Sequence, residues 1–213
     1  WNLLRMVGLN RATKTMAADG HIGKEVIPHN SPQMWRVTRH RTERCINILR
    51  TIYEVDPRSA RVLAIGPRNE AELMLFWLYG FKKRNITSID LFTYTPLIDV
   101  MDMHHMSYPD DAFDVVYSSY VLRYSPDLKR ACDEMVRVTR DGGLIVIAFV
   151  NGRGAKTSMV GSPLEGGLRE LFGYFGASIS HIYWQEEHPD ENNGFNCTTV
   201  FRIAKPGKPI ATK

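Results

Sequence analysis

The sequence predicts an α/β fold built on a seven-stranded, mostly parallel sheet with helices on both faces. Two observations favour this fold. Short apolar runs alternate with helical stretches through the middle of the chain, which is the pattern of a parallel sheet covered on both sides. Two further apolar runs, near 178–184 and 197–204, follow one another at the C-terminus and predict an antiparallel hairpin.

The strands of this sheet are predicted from apolar runs that are bounded by turn residues. Four such runs indicate buried strands, near 61–65, 86–91, 114–118 and 143–149. Between the second and third of these, residues 93–112 show no sustained periodicity. We therefore expect that segment to be mostly irregular and to cross the top of the sheet.

The helices are predicted from start signals and spacing. Ser31 followed by Pro32 is a strong start signal, and Asp56-Pro57 predicts the end of that first helix. Within it, residues at helical spacing are expected to face the core: Cys45, Ile48, Leu49, Ile52 and Tyr53. Further helices are predicted near 69–79, 126–139 and 164–174.

The composition fits one globular domain. The 213 residues are 44% hydrophobic and 23% charged, which is enough for a single core and speaks against bulk disorder. We divide the chain into an N-terminal arm or lid over 1–30 and one domain over 31–213. The net charge of +4 is too small to indicate specific nucleic-acid binding, although it permits an acidic partner.

The cysteines and the apolar stretches indicate the cellular compartment of the protein. Cys45, Cys132 and Cys197 are widely spaced, so we expect no disulfide framework and no metal site, and a reducing, cytoplasmic location fits best. No apolar stretch reaches the roughly 18 residues that a membrane helix needs. Because the sequence opens on Trp1 rather than methionine, a targeting segment upstream stays open as an alternative.

Polar residues follow the predicted strands in an order that suggests a ligand site. Gly66 follows the first strand, Asp90 ends the second, and Asp102 begins the segment that leads to the third. Glycine lets the backbone approach a ligand closely, and an acid at a strand end can accept from two ribose hydroxyls. Ligands bind at the carboxyl ends of parallel strands, so these loops and the one starting at Ser118 are expected to converge.

This order, closed by Arg137-Val-Thr-Arg-Asp-Gly-Gly143 and a buried strand, resembles class I S-adenosylmethionine (SAM)-dependent methyltransferases of the small-molecule or glycan type (Methyltransferase-11-like). The resemblance implies the Rossmann-like fold of that family, with SAM as methyl donor and S-adenosylhomocysteine as product. It also implies cofactor-binding roles: Asp90 at the ribose, Leu91 and Met103 beside the adenine, Asp102 at its exocyclic amine, and Ser118 and Ser119 near the sulfonium.

The first loop departs from the family's pattern. The family usually has acid, apolar, Gly, x, Gly, x, Gly, whereas this chain reads Ala64-Ile-Gly66-Pro67-Arg68-Asn69-Glu70. In one interpretation Arg68 pairs with the carboxylate of the cofactor, and Glu70 or Glu72 accepts from its ammonium. In the other, Arg68 and Glu70 form a solvated ion pair in the first turn of a helix.

The substrate side carries weaker signals. Displacement at a sulfonium depends largely on alignment and desolvation, so a dedicated base is not required. If the acceptor is a hydroxyl, the candidates for a base are His104, His105 and Tyr120, with Arg123 and Tyr124 nearby. A basic helix face either engages phosphate or carboxylate on a substrate or is simply solvated: Arg36, Arg39, His40, Arg41 and Arg44.

The sequence therefore predicts a SAM-dependent methyltransferase acting on a small-molecule or glycan acceptor at oxygen. No Asn-Pro-Pro-Tyr run follows Tyr117, which disfavours methylation of DNA adenine or protein glutamine. Homodimerisation stays open. The altered first loop favours an alternative, a non-catalytic relative that serves as a binding or regulatory protein. A NAD(P)-binding protein is disfavoured by the C-terminal hairpin and the missing dinucleotide glycine pattern.

Overall fold

The computed structural model describes residues 14–15, 39–67, 69–151, 164–189 and 195–205. Its strands are β1 (Lys14–Thr15), β2 (Val62–Ile65), β3 (Ile86–Asp90), β4 (Phe92–Thr93), β5 (Asp99–Val100), β6 (Phe113–Ser119), β7 (Thr139–Asn151), β8 (Ile179–Pro189) and β9 (Phe195–Ile203). Its helices are α1 (Arg39–Thr51), α2 (Glu70–Leu78), α3 (Leu128–Val138) and α4 (Gly167–Phe175), with 3₁₀ turns at Lys83–Asn85, Leu122–Tyr124 and Gly176–Ser178.

A seven-stranded sheet runs through the molecule in the order β5-β3-β2-β6-β7-β9-β8. The pairs β2–β3, β2–β6, β3–β5 and β6–β7 are parallel, and β9 runs antiparallel to both β7 and β8. One strand of the closing pair is thus reversed, which confirms the predicted architecture. A separate antiparallel pair joins β1 to β4.

The sheet divides the core into two layers because successive side chains of a strand point to opposite faces. Leu63 and Ile65 of β2 belong to the layer that includes residues of α3 and α4. Val62 and Ala64 of the same strand belong to the layer that includes residues of α1 and α2. Both faces are buried, and this explains why the parallel strands read as continuous apolar runs.

The helix boundaries follow the predictions with two differences. The helix α1 ends at Thr51 and not at Asp56-Pro57 as predicted. Tyr53, which the spacing places in the core, therefore lies beyond the helix and is 101% exposed. The last helix begins at Gly167 rather than at Leu164, since Glu187 Oε1 accepts from the Leu168 N–H at 2.7 Å and fixes the helix start there.

Some predictions fall on residues outside the described ranges. The start signal at Ser31-Pro32 is one, and most of the predicted arm or lid over 1–30 is another, with only Lys14–Thr15 described. Within the described ranges, no helix has the length and apolar character needed to cross a bilayer.

Candidate active site

Three of the predicted site residues lie at one edge of the sheet. Ile65, the last residue of β2, pairs with Ile89 of β3 on one side and with Ser118 of β6 on the other. Gly66 and Asp90 are each one residue further along, at the carboxyl ends of neighbouring parallel strands. The structure therefore brings the first two loops and the end of β6 together, as expected for this class of sheet.

Asp102 joins the same edge through the short strand β5. Val100 pairs with Asp90 of β3, and the Met101 N–H donates to the Asp90 carbonyl oxygen at 3.0 Å. Asp102 is the next residue in the chain. The two acids thus leave adjacent strands at the same edge of the sheet.

Gly66 is required by its conformation and by its packing. Its φ of 71° lies in the left-handed region that favours glycine, and its N–H donates to the Ile89 carbonyl oxygen at 2.8 Å. A Cβ atom at this position would lie 2.7 Å from the side chain of Val121. The glycine therefore admits close contact with the turn that follows β6.

The rest of the first loop leads directly into α2. Arg68 lies outside the described residues, so the structure does not decide between its two interpretations. Asn69 is buried and caps α2, with its Oδ1 accepting from the Ala71 N–H at 3.0 Å. Glu70 accepts from the Tyr94 hydroxyl, and the buried Glu72 accepts from Thr42 Oγ1 at 3.1 Å.

The Asp90 carboxylate is half-buried at the end of β3. Its Oδ1 accepts from the N–H of the next residue, Leu91, at 2.6 Å. Leu91 is itself half-buried. This local bond orients one carboxylate oxygen toward the backbone of the loop.

The Asp102 carboxylate is oriented by His104. Oδ1 of Asp102 accepts from the His104 backbone N–H at 2.9 Å and lies 2.5 Å from His104 Nδ1. The other ring nitrogen, Nε2, lies 2.7 Å from Ser125 Oγ, just before α3. The hydrogen bond from the His104 side chain is the main cause that holds the pKa of Asp102 below its ordinary value.

The two predicted histidines differ in surroundings although they are adjacent. His104 is 7% exposed and both ring nitrogens are engaged, so its contacts are those of a positioning residue. His105 is exposed, and its Nδ1 lies 2.9 Å from Arg130 Nη2. The Arg130 Nε–H also donates to the His104 carbonyl oxygen at 3.1 Å, so α3 holds this part of the loop.

A second arginine of α3 holds the remainder of the same loop. Arg137 donates to the carbonyl oxygens of Met106 at 2.8 Å and Tyr108 at 2.7 Å, and to Asp110 Oδ1 at 2.8 Å. Glu134 accepts from the Met106 N–H at 2.9 Å and from Arg137. The loop that begins with Asp102 is thus fixed to one helix along most of its length.

The residues expected near the adenine and the sulfonium are buried to different degrees. Met103 is 9% exposed and belongs to the core layer beneath α3. Ser118 is 0% exposed, and its hydroxyl has no hydrogen-bond partner within the described part of the chain. Ser119 is half-buried, and its side chain bonds with that of the fully buried Tyr117.

Tyr120 follows β6 in a strained conformation, with φ at 59°. Its hydroxyl donates to Asn196 Oδ1 at 3.0 Å, and the guanidinium carbon of Arg41 lies 3.9 Å from the centroid of its ring. Burial is the main cause that raises the pKa of Tyr120. The phenol therefore stays protonated at neutral pH, with its proton on the bond to Asn196, and is poorly suited to act as a base.

The basic face of α1 is only partly described. Arg36 lies outside the described residues, as do the side chains of Arg39 and His40. Arg44 is paired with Glu186 of β8, whereas Arg41 rests on Tyr120. Further along the turn after β6, the guanidinium carbon of Arg123 lies 5.5 Å from the centroid of the Tyr124 ring.

The three cysteines are buried free thiols. Burial is the main cause that raises the pKa of Cys45, Cys132 and Cys197 to about 12. Across the described ranges, no group of three or more His, Cys, Asp or Glu side chains is arranged to hold a metal ion.

Several residues that shape the site were not predicted from the sequence. Val121 and Ser125 contact predicted site residues, but each lies far along the chain from its partner. Asn196 comes from β9 and contacts Tyr120 across 76 positions. Ser125-Pro126 does carry a local signal, a helix start, although nothing in the sequence connects it with His104.

The central part of the chain is similar to a known protein family. Residues 78–147 match a protein family described as "Methyltransferase domain". The matched region includes Asp90, Asp102 and Ser118, and it begins after the variant first loop.

Two curated relatives are named as methyltransferases. Methyltransferase GfsG of Streptomyces halstedii is 34% identical over 68 residues, which is 32% of this chain and 24% of that protein. Malonyl-[acyl-carrier protein] O-methyltransferase of Halorhodospira halophila (strain DSM 244 / SL1) is 40% identical over 47 residues, 22% of this chain and 16% of that protein. The chain thus spans no more than 24% of the length of these two relatives.

A solved structure shares the fold over most of the chain. N-methyltransferase NodS from Bradyrhizobium japonicum WM9, in complex with S-adenosylhomocysteine, has a TM-score of 0.62 at 16% identity. The superposition covers 85% of this chain and 100% of that one. The chain therefore has the fold of this S-adenosylhomocysteine-binding structure, and its residues 78–147 are similar to the methyltransferase domain of class I SAM-dependent enzymes.

Proposed function

We propose that this protein binds SAM across the carboxyl ends of β2, β3 and β6 and transfers its methyl group to a small-molecule or glycan acceptor. The observation that carries the proposal is the convergence of Gly66, Asp90 and Asp102 at one edge of a parallel sheet. A carboxylate at each of two adjacent strand ends suits a ligand with a diol and an amino-substituted ring.

The hydrogen bonds already made by these acids support distinct roles. Asp90 accepts from the Leu91 N–H through Oδ1, which holds its carboxylate at the end of β3, and we assign this carboxylate to the ribose hydroxyls. Asp102 uses Oδ1 for both bonds to His104, so we assign its Oδ2 to the adenine amine. The buried hydroxyl of Ser118 is a further candidate contact for the cofactor, because a buried hydroxyl without a partner is costly.

The acceptor atom is proposed to be oxygen. The two named activities differ on this point, since one relative is an O-methyltransferase and the solved neighbour is an N-methyltransferase. In our proposal alignment drives the transfer, and the Tyr120 hydroxyl, which stays protonated and donates to Asn196, orients the acceptor by accepting a hydrogen bond from it instead of deprotonating it. Homodimerisation and a cytoplasmic location stay predictions.

Calorimetry and methyl transfer test the proposal together. We expect SAM and S-adenosylhomocysteine to bind the purified chain and NAD to give no heat of binding. Tritiated SAM offered with panels of hydroxylated small molecules and glycans should then label at least one acceptor. Binding of NAD without SAM would overturn the cofactor assignment.

The first loop needs its own test. If Arg68 pairs with the carboxylate of SAM, Arg68→Lys should lose much of the affinity, because an ammonium cannot reproduce a bidentate pair. Arg68→Gly should not restore it, since Pro67 still restricts the loop. If Arg68 is only solvated, Arg68→Lys should bind SAM like the wild type.

A non-catalytic binding or regulatory role is the second candidate. Two side chains of the variant first loop favour this role, because their hydrogen bonds are made within the protein. Asn69 accepts from the Ala71 N–H, and Glu70 accepts from the Tyr94 hydroxyl. This function would be preferred if S-adenosylhomocysteine binds with the same affinity as SAM and no acceptor in the panels is labelled.

A further inference from the structure

A second set of polar residues lies beside the proposed cofactor site, near the strands β7 and β9. The residues assigned to SAM lie on or after β2, β3 and β6. An acceptor that reaches the transferred methyl group must therefore lie on the other side of β6, over β7, β9 and β8. Helix α1 packs against β7 and β9 on this side.

The side chain of Arg41 extends from α1 to the turn that follows β6. Its guanidinium carbon lies 3.9 Å from the centroid of the Tyr120 ring, and Tyr120 is anchored by Asn196 at the start of β9. The Tyr120 backbone is also held in the left-handed region, and its N–H donates to the Ala148 carbonyl oxygen at 2.6 Å. The platform beneath the guanidinium is thus fixed by contacts to two strands.

Arg41 and Arg44 lie on the same helix, but only Arg44 forms an ion pair within the described residues. Arg44, one turn further along α1, is paired with Glu186. Across the described ranges no carboxylate pairs with Arg41, which is only partly buried. A guanidinium that rests on an aromatic ring still has N–H groups around its rim, and these can bind two oxygens of one carboxylate or phosphate.

We propose that Arg41 is an anion-binding subsite that holds a carboxylate or phosphate group of the acceptor, with Tyr120 and Asn196 fixing its position. The acceptor is then an acidic small molecule or an acidic sugar derivative. This inference rests on the proposed function, because it takes the edge beyond β6 as the acceptor side. Arg41 serves here as a specificity-determining residue and takes no part in binding SAM.

A titration of the whole chain by NMR tests the subsite without knowledge of the natural acceptor. The probes are inorganic phosphate, benzoate, and benzamide as the uncharged counterpart of benzoate, at constant ionic strength. The backbone amide resonance of Tyr120 reports on binding beside Arg41. The variant is Arg41→Gln, and the matched control is Arg50→Gln, because Arg50 also lies over a tyrosine, Tyr79, further along the same helix.

We expect phosphate or benzoate to shift the Tyr120 resonance saturably and benzamide to leave it unchanged. The anion that saturates distinguishes a phosphate from a carboxylate acceptor. Arg41→Gln should weaken the binding by about tenfold or more, as for a lost hydrogen bond between charged groups, and Arg50→Gln should bind like the wild type. The proposal is wrong if neither anion gives a saturable shift of the Tyr120 resonance or if benzamide shifts it as much as benzoate does. It is also wrong if Arg41→Gln binds the anion as tightly as the wild type.

Calorimetry with S-adenosylhomocysteine on the same samples separates this proposal from the proposed function. Arg41→Gln should retain the wild-type affinity for S-adenosylhomocysteine. If the wild type does not bind S-adenosylhomocysteine, the proposed function fails while the anion titration still decides the subsite. If Arg41→Gln does not fold, the comparison of benzoate with benzamide on the wild type remains decisive.

Discussion

His104 contacts the Asp102 carboxylate through both its backbone N–H and its ring, at 2.9 and 2.5 Å. The opposite ring nitrogen bonds to Ser125, so the acid that we assign to the adenine is connected to the start of α3. The order Asp, His, Ser is that of a nucleophilic triad. The Ser125 hydroxyl, however, is 0% exposed and already bonded to His104 and to the Asp127 N–H, so the arrangement positions Asp102.

This contact predicts a pH-dependent contribution to stability. His104 holds the pKa of Asp102 below its ordinary value, so the folded state gains stability that is complete above the unfolded pKa of about 3.9 and is lost as the pH falls through the folded pKa. Asp102→Asn should therefore be less stable than the wild type at about pH 7 and closer to it at about pH 3. Urea unfolding measures this, and an equal difference at both pH values would contradict it.

The loop after Asp102 should depend on Arg137. Arg137→Met removes hydrogen bonds to two carbonyl oxygens and to Asp110, and it should lower the free energy of unfolding by about 2–3 kcal/mol. Lys129→Met on the same helix removes an exposed ion pair with Asp133 and should change it by less than about 0.5 kcal/mol. Similar effects of the two substitutions would show that Arg137 is not what holds the loop.

Gly66 should tolerate no side chain. Gly66→Ala places a residue in the left-handed region and a Cβ against Val121, so it should cost more than about 2 kcal/mol of stability. Gly173 in α4 has nothing within 4 Å of an added Cβ, and Gly173→Ala should stabilise the protein by about 0.5–1 kcal/mol. Thermal unfolding of both variants makes the comparison, and a stable Gly66→Ala protein would refute the packing described above.

The strands could be predicted from the sequence because both faces of the sheet are covered, which makes each parallel strand a continuous apolar run. The convergence of the candidate site residues could be predicted by the same reasoning, since Gly66, Asp90 and Ser118 each come at the end of such a run. The exposure of Tyr53 could not be predicted, because the sequence continues with helical spacing beyond Thr51, where α1 ends. The strand pattern depends on local composition, whereas the helix end depends on backbone geometry that periodicity does not report.

The contacts within the site could not be predicted. His104 and His105 are neighbours of the same type, and only the placement of α3 buries the first against Ser125 and leaves the second exposed. The contact between Arg41 and Tyr120 likewise depends on how α1 crosses the sheet edge. Such pairs are far apart in sequence and need the tertiary structure to bring them together.

The cysteines should be unreactive in the folded protein. Cys45, Cys132 and Cys197 are 1%, 0% and 0% exposed, and burial raises each pKa to about 12. At about pH 8 only about one thiol in ten thousand would be ionised. Ellman's reagent should therefore react with all three only after unfolding in urea. Rapid reaction of any thiol in the native protein would contradict the buried environment.

The affinity of an Asp90→Ala variant for S-adenosylhomocysteine is the most direct measurement of the cofactor site. Removal of a charged acceptor for the ribose hydroxyls should weaken binding by about 1.5–3 kcal/mol. Stability should change little, because Asp90 is half-buried at a strand end and outside both core layers. The matched control is Asp133→Ala, which removes an exposed acid on α3 and should bind like the wild type. A folded Asp90→Ala protein with wild-type affinity in calorimetry would contradict the cofactor site proposed at this edge of the sheet.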